Sequence, residues 1–191
     1  QRQMCIRDSL LSALLAASAC LFYVFVYSLW LKRSSTSNIV IGGAAGAVPV
    51  LIGWSSVTNS IDWPPIILFL VIFLWTPPHF WALAIRYKDD YSNAEVPMLP
   101  VVEGTKVTGY RMVLYAFQVW AASLIFVPVA DMGVVYLITA IAMGAMFTLF
   151  SFQVMINPTK KSAMRLFGFS ISYITILFSL MAVDQLVRSG F

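Results

Sequence analysis

The chain has 191 residues, of which 60% are hydrophobic and only 10% charged, with a net charge of +4. A soluble fold has roughly a quarter of its residues charged to cover its surface, so a soluble enzyme and a disordered chain are both excluded. The cations are scattered in ones and twos, which is no nucleic-acid footprint, and two cysteines, Cys5 and Cys20, make neither a disulfide framework nor a metal cluster.

In chain order, the first nine residues, Gln1–Ser9, are polar and lack the pattern of a secretory signal. QRQMCIRDS resembles translated adaptor sequence and is set apart from the fold. Six charge-free stretches follow: Leu10–Leu31, Ile39–Val57, Pro64–Ile85, Met112–Ala130, Val134–Val154 and Leu166–Val183. Each is long enough to cross roughly 30 Å of hydrocarbon at about 1.5 Å per residue. Lipid leaves no partner for unpaired backbone groups, so each must be a helix. The fold class is therefore all-α, a polytopic bundle in the lipid bilayer.

Basic residues set the orientation. Lys32 and Arg33 follow the first span, Arg86, Lys88, Lys106 and Arg111 follow the third, and Lys160, Lys161 and Arg165 follow the fifth. The opposite connections, around Thr58–Trp63 and Asp131–Gly133, carry none. The nine-residue side, including the 86–111 loop, is expected to be cytoplasmic and the C-terminus outside. The membrane is read as a bacterial inner membrane.

Three segments carry chemistry. The loop LKRSSTSN sets Lys32 and Arg33 beside four hydroxyls and Asn38. Such a loop can cradle a diphosphate with Asn38 capping the next helix; topology plus an ordinary cap is the simpler account of the loop taken alone. In the following span, Gly42 and Gly46 form a small-xxx-small spacing that suits close helix packing. The third span ends WTPPHFWALAIRYKDD. Pro77 and Pro78 should kink or restart it, and a helix continuing through Asp90 would put His79, Arg86 and Asp90 on one stripe. A histidine within a span is a functional candidate, although a bond to a neighbouring helix carbonyl also explains it. Trp75, Phe80 and Trp81 around it read either as interfacial anchors or as walls for a flat ligand. Finally, Asp89, Asp90 and Glu95 lie beside Arg86 and Lys88. Carboxylates in such a place can hold Mg²⁺ through a phosphate, or simply be a solvated loop.

Together, LKRSSTSNIVIGGAAGAVPVLIGW, WTPPHFWALAIRYKDDY and AEVPMLPVVEG resemble the protoheme IX farnesyltransferases, or heme O synthases. These form a branch of the intramembrane prenyltransferases typified by the 4-hydroxybenzoate polyprenyltransferases. The resemblance runs from about Tyr27 to Tyr110 and continues as hydrophobic pattern to the C-terminus. It implies transfer of a farnesyl group from farnesyl diphosphate to a vinyl group of heme b, with Mg²⁺ as cofactor. Downstream heme A synthase or oxidase assembly proteins are the implied partners.

The same resemblance assigns roles to residues. Asp90, with Asp89 and Glu95, becomes the metal-binding set, and Asp90-Tyr91 the centre of the second acidic motif. Lys32 and Arg33 match a basic pair that neutralises diphosphate, assisted by Arg86. His79 matches a PPHFW block and is placed at heme, at the iron or at a propionate. Trp75, Phe80, Trp81 and Tyr87 are candidate cavity walls. The first acidic motif is absent and six spans stand where nine are expected. Residues 10–191 are accordingly read as the C-terminal two-thirds of the domain, a fragment expected to be inactive alone.

Three rivals remain at this point. A relative acting on a quinone precursor or chlorophyllide is opposed by the PPHFW block. A transporter with a Pro-broken helix is opposed by the lack of mid-membrane carboxylates. A structural subunit leaves the charge-rich loop unexplained.

Overall fold

The structure, a computed structural model, describes residues 9–190. Of the leader set apart above, only Ser9 falls within it; residues 1–8, Cys5 among them, lie outside the described residues. Every predicted span is a helix: α1 (Leu10–Ser34), α2 (Asn38–Thr58) and α3 (Trp63–Arg86), then two short helices, α4 (Lys88–Asn93) and α5 (Leu99–Val102), and finally α6 (Gly104–Val129), α7 (Val134–Ile156) and α8 (Lys160–Ser189). The helices outrun the charge-free stretches. Lys106 and Arg111 ride on the first turns of α6, as Lys161 and Arg165 do on α8, because a helix does not need to end where the hydrocarbon does.

α3 runs continuously from Trp63 to Arg86 through Pro77 and Pro78, so the chain does not restart there. Both prolines are buried. The stripe of His79, Arg86 and Asp90 does not form. Tyr87 leaves the helical region (φ −105°, ψ 30°), so Asp90 belongs to a separate helix. Asp184, the residue after the last predicted span, is only 2% exposed.

Four helices make a closed ring, α3 against α6, α6 against α7, α7 against α8, and α8 back against α3, while α1 packs on α2 and α2 on α3. Small residues bring α6 and α7 close: a Cβ on Gly109 would lie 2.7 Å from the Cα of Met155. Polar bonds then lace the ring. Tyr173 Oη and Ser123 Oγ lie 2.7 Å apart, and Tyr136 Oη donates to the Ser123 carbonyl (3.2 Å). Asp184 of α8 accepts from the backbone N–H groups of Gly133 (2.5 Å) and Tyr136 (3.2 Å). Its charge thus sits at the positive end of the α7 dipole.

The α1–α2 pair is joined more lightly. Ser9 caps α1 by accepting from the Ser12 N–H, and Ser12 Oγ meets Ser55 Oγ at 2.7 Å. From Phe22 to Leu31, α1 is wound with one extra residue per bond, the Lys32 N–H reaching back to the Tyr27 carbonyl. Such wide turns are uncommon and frequent at functional sites.

Candidate functional site

Two regions concern function, an apolar groove among α1, α2 and α3 and the charged end of the bundle beside it. The groove has a volume of about 560 Å³, with Tyr23 and Tyr27 on one side, Trp75, Thr76 and Phe80 on the other, and Gly46 among its lining. Here the small-xxx-small reading divides. A Cβ on Gly42 would press into the Tyr27 ring, as close packing predicts, but nothing lies within 4 Å of Gly46. Gly46 leaves space in the groove rather than seating a helix. Trp75 and Phe80 are walls of this groove. Trp81 is not: it is 1% exposed, edge-on to Tyr115 at 5.5 Å, and its Nε1 has no partner among the described residues. Tyr87 is exposed past the end of α3.

At the charged end, α1 stops and α2 begins. Lys32 and Arg33 are exposed there. Asn38 does not act as the cap expected of it. It is the first residue of α2, 1% exposed, and its Nδ2 donates to the Lys32 carbonyl at 3.3 Å. It therefore closes the loop around the basic pair from behind. Its Oδ1 has no partner among the described residues.

The second charged segment follows α3. Asp89 and Asp90 occupy the first turn of α4, where the exposed N–H groups favour acidic side chains. The chain then turns back on itself, Ala94 N–H to the Asp90 carbonyl (3.0 Å) and Val96 N–H to that of Tyr91 (3.0 Å). Glu95 takes the left-handed conformation (φ 54°) at this turn. Met98 and Leu99, both nearly fully buried, anchor the far end to the core, and Tyr91 packs against that core. The loop is thus a pinned structure presenting Asp89, Asp90 and Glu95 outward, all three exposed, as is Arg86.

The ion pairing is sparse. Among the described residues, Asp89 meets only Lys160 of α8 (Nζ to Oδ2 3.5 Å), and no ion pair joins Lys32, Arg33 or Arg86 to a carboxylate. Asp90 is left with its oxygens available. No three His, Cys, Asp or Glu side chains of the described residues converge into a cage for a metal ion, so Asp89, Asp90 and Glu95 do not form one. Their chemistry still fits Mg²⁺, which takes one or two carboxylates and completes its shell with substrate phosphate and water.

Sequence reasoning missed Lys160, counted only as a topology signal, and the partners of His79. Phe167 and Ser170 come from α8 and surround His79 on α3: the His79 Nδ1 lies 2.7 Å from Ser170 Oγ. No pattern along the chain links positions 79 and 170, because the ring closure alone brings them together.

A family model described as the UbiA prenyltransferase family matches residues 6–176. The chain belongs to this family. With its six long apolar helices, it is an integral, multi-pass membrane protein. Curated relatives agree with the match. The protoheme IX farnesyltransferase of Frankia casuarinae is 55% identical over 179 residues, covering 92% of this chain and 62% of the relative. That of Parafrankia sp. is 52% identical, covering 92% and 57%, and that of Clavibacter michiganensis subsp. michiganensis is 50% identical, covering 93% and 59%. The chain therefore spans about three-fifths of the length of these relatives. No solved structure matches it.

Proposed function

We propose that the protein farnesylates heme, transferring the farnesyl group of farnesyl diphosphate to a vinyl group of protoheme IX to give heme O and diphosphate. The observation that carries this reading is the identity of 50–55% over more than nine-tenths of the chain to relatives bearing that activity in their names. The groove and the pinned charged loop supply the physical parts.

The C–O bond of an allylic diphosphate breaks with the electron pair leaving on oxygen, so the leaving group must be neutralised as its charge develops. Lys32, Arg33 and Arg86, exposed and without carboxylate partners among the described residues, serve that role. Asp90, with Asp89, would hold a Mg²⁺ ion, which when bound would supply charge neutralisation for the diphosphate. The farnesyl cation is attacked by the terminal vinyl carbon, and water adds to the adjacent carbon with loss of a proton. Until that attack the cation must be kept from water, and the aromatic groove of Tyr23, Tyr27, Trp75 and Phe80 offers such a place. In this reading the charged end faces the cytoplasm across a bacterial inner membrane, in keeping with its nine basic residues.

The test supplies protoheme IX, farnesyl diphosphate and Mg²⁺ to membranes carrying the whole protein and its Asp90→Ala variant, with heme O followed by mass. Product that vanishes in the variant is expected. Product that survives in it moves the metal role away from Asp90. Bound protoheme without product refutes the acceptor and directs the assay to quinone precursors.

A further inference from the structure

His79 is the one histidine of the chain and is more elaborately held than a core residue requires. Its ring lies between Trp75 (centroids 4.4 Å apart, planes 19° apart) and Phe167 (4.6 Å, 22°), with Phe80 edge-on at 5.1 Å. Trp75 is itself tied to α8 by its Nε1, which donates to the Ser170 carbonyl at 2.9 Å. Both faces of the imidazole are covered, leaving its edges to interact.

The hydrogen bonds settle which nitrogen carries the proton. Ser170 Oγ lies 2.7 Å from His79 Nδ1 and 2.6 Å from the Phe167 carbonyl oxygen. A carbonyl only accepts, and a serine hydroxyl has a single hydrogen to give. That hydrogen goes to Phe167, because turned toward His79 it would leave two oxygens facing each other at 2.6 Å without a proton between them. Ser170 Oγ therefore accepts from Nδ1–H, and the neutral ring carries its lone pair on Nε2. Among the described residues Nε2 has no hydrogen-bond partner, and it is not one of the sealed-off polar atoms. It opens out of the aromatic stack.

We infer that His79 Nε2 is an axial ligand for the iron of a protoheme acceptor, with Ser170 the positioning residue that holds the ligating tautomer. This deepens the proposed heme farnesylation and rests on it. A propionate is the poorer partner: an ionised carboxylate only accepts hydrogen bonds, and the ring's N–H is already committed to Ser170. An iron centre needs the lone pair that Nε2 presents. A histidine ligand whose other nitrogen donates to a fixed acceptor is the usual arrangement at metals, since that bond sets both tautomer and ring orientation. Ligation forms one dative bond and moves no electron or proton.

The experiment uses the whole protein in detergent with ferric protoheme IX alone, so that no turnover intervenes, read by visible absorption and resonance Raman. The wild type is expected to show an imidazole–iron signature that His79→Ala abolishes and added free imidazole restores. Ser170→Ala should weaken protoheme binding about tenfold or more, with Ser170→Thr holding near the wild-type value. A His79→Ala variant that keeps the wild-type signature overturns the proposal while leaving heme O formation standing. An unchanged Ser170→Ala removes the positioning role. A wild type that binds no protoheme refutes both this ligand and the proposed function, whereas a ligated wild type that never yields heme O refutes the function alone.

Discussion

The ring of α3, α6, α7 and α8 and the outer pair α1–α2 are equally greasy, yet they are held in different ways. In the most apolar stretch of α3, 39% of residues are buried, against 6% for α1. Lipid tails are as apolar as leucine, so hydrophobicity does not draw helices together in a bilayer; close contact and polar bonds do. The ring has both, in Gly109 against Met155 and in the Ser123, Tyr136, Tyr173 and Asp184 bonds. The outer pair has the Ser12–Ser55 contact and one close approach, Gly42 under the Tyr27 ring, with open space at Gly46 and Gly53. The ring acts as scaffold, and the pair, with its groove, forms a wall of the working volume.

Four variants would break or sharpen this contrast. Asp90→Ala should lower heme O formation by about a hundredfold or more, as loss of a group that stabilises transition-state charge does. Its thermal midpoint should stay unchanged, because an exposed loop residue contributes little to stability; a large drop in midpoint would make Asp90 structural. Within the ring, Gly109→Ala forces the Met155 backbone to move and should cost about 1–3 kcal/mol, seen as a lowered midpoint in detergent. Asp184→Ala strips the acceptor from two N–H groups at the start of α7 and should cost about 1–2 kcal/mol. Smallest is Gly46→Ala on the groove. With nothing within 4 Å and a better helix former in place, stability should rise by up to about 1 kcal/mol. Equal damage from Gly46→Ala and Gly109→Ala would erase the distinction between wall and scaffold.

The spans were readable because hydrocarbon excludes charge so strongly that every charge-free stretch of sufficient length had to be a helix. The loop of Asp89 and Asp90 stood out in the sequence because its carboxylates stand beside cations. Other features depended on neighbours that no linear pattern names. Gly46 and Gly109 are both glycines inside long helices, and only the surrounding helices make one a void and the other a contact. An acidic residue at a span end, such as Asp184, has the same local sequence whether it meets water or a helix N-terminus. RYKDDY carries no proline or glycine, so nothing local announced the break at Tyr87.

Asp184 has a further consequence in time. The ring closes only when α8 brings Ser170 to α3 and a carboxylate to the start of α7. Both bonds come from the helix that leaves the ribosome after α3, α6 and α7. Until then the first N–H groups of α7 await their acceptor, and the far side of α3 faces lipid. Closure of the scaffold is thus a late event, and a stall in synthesis just before α8 would leave the five long helices ahead of it without their closing partner.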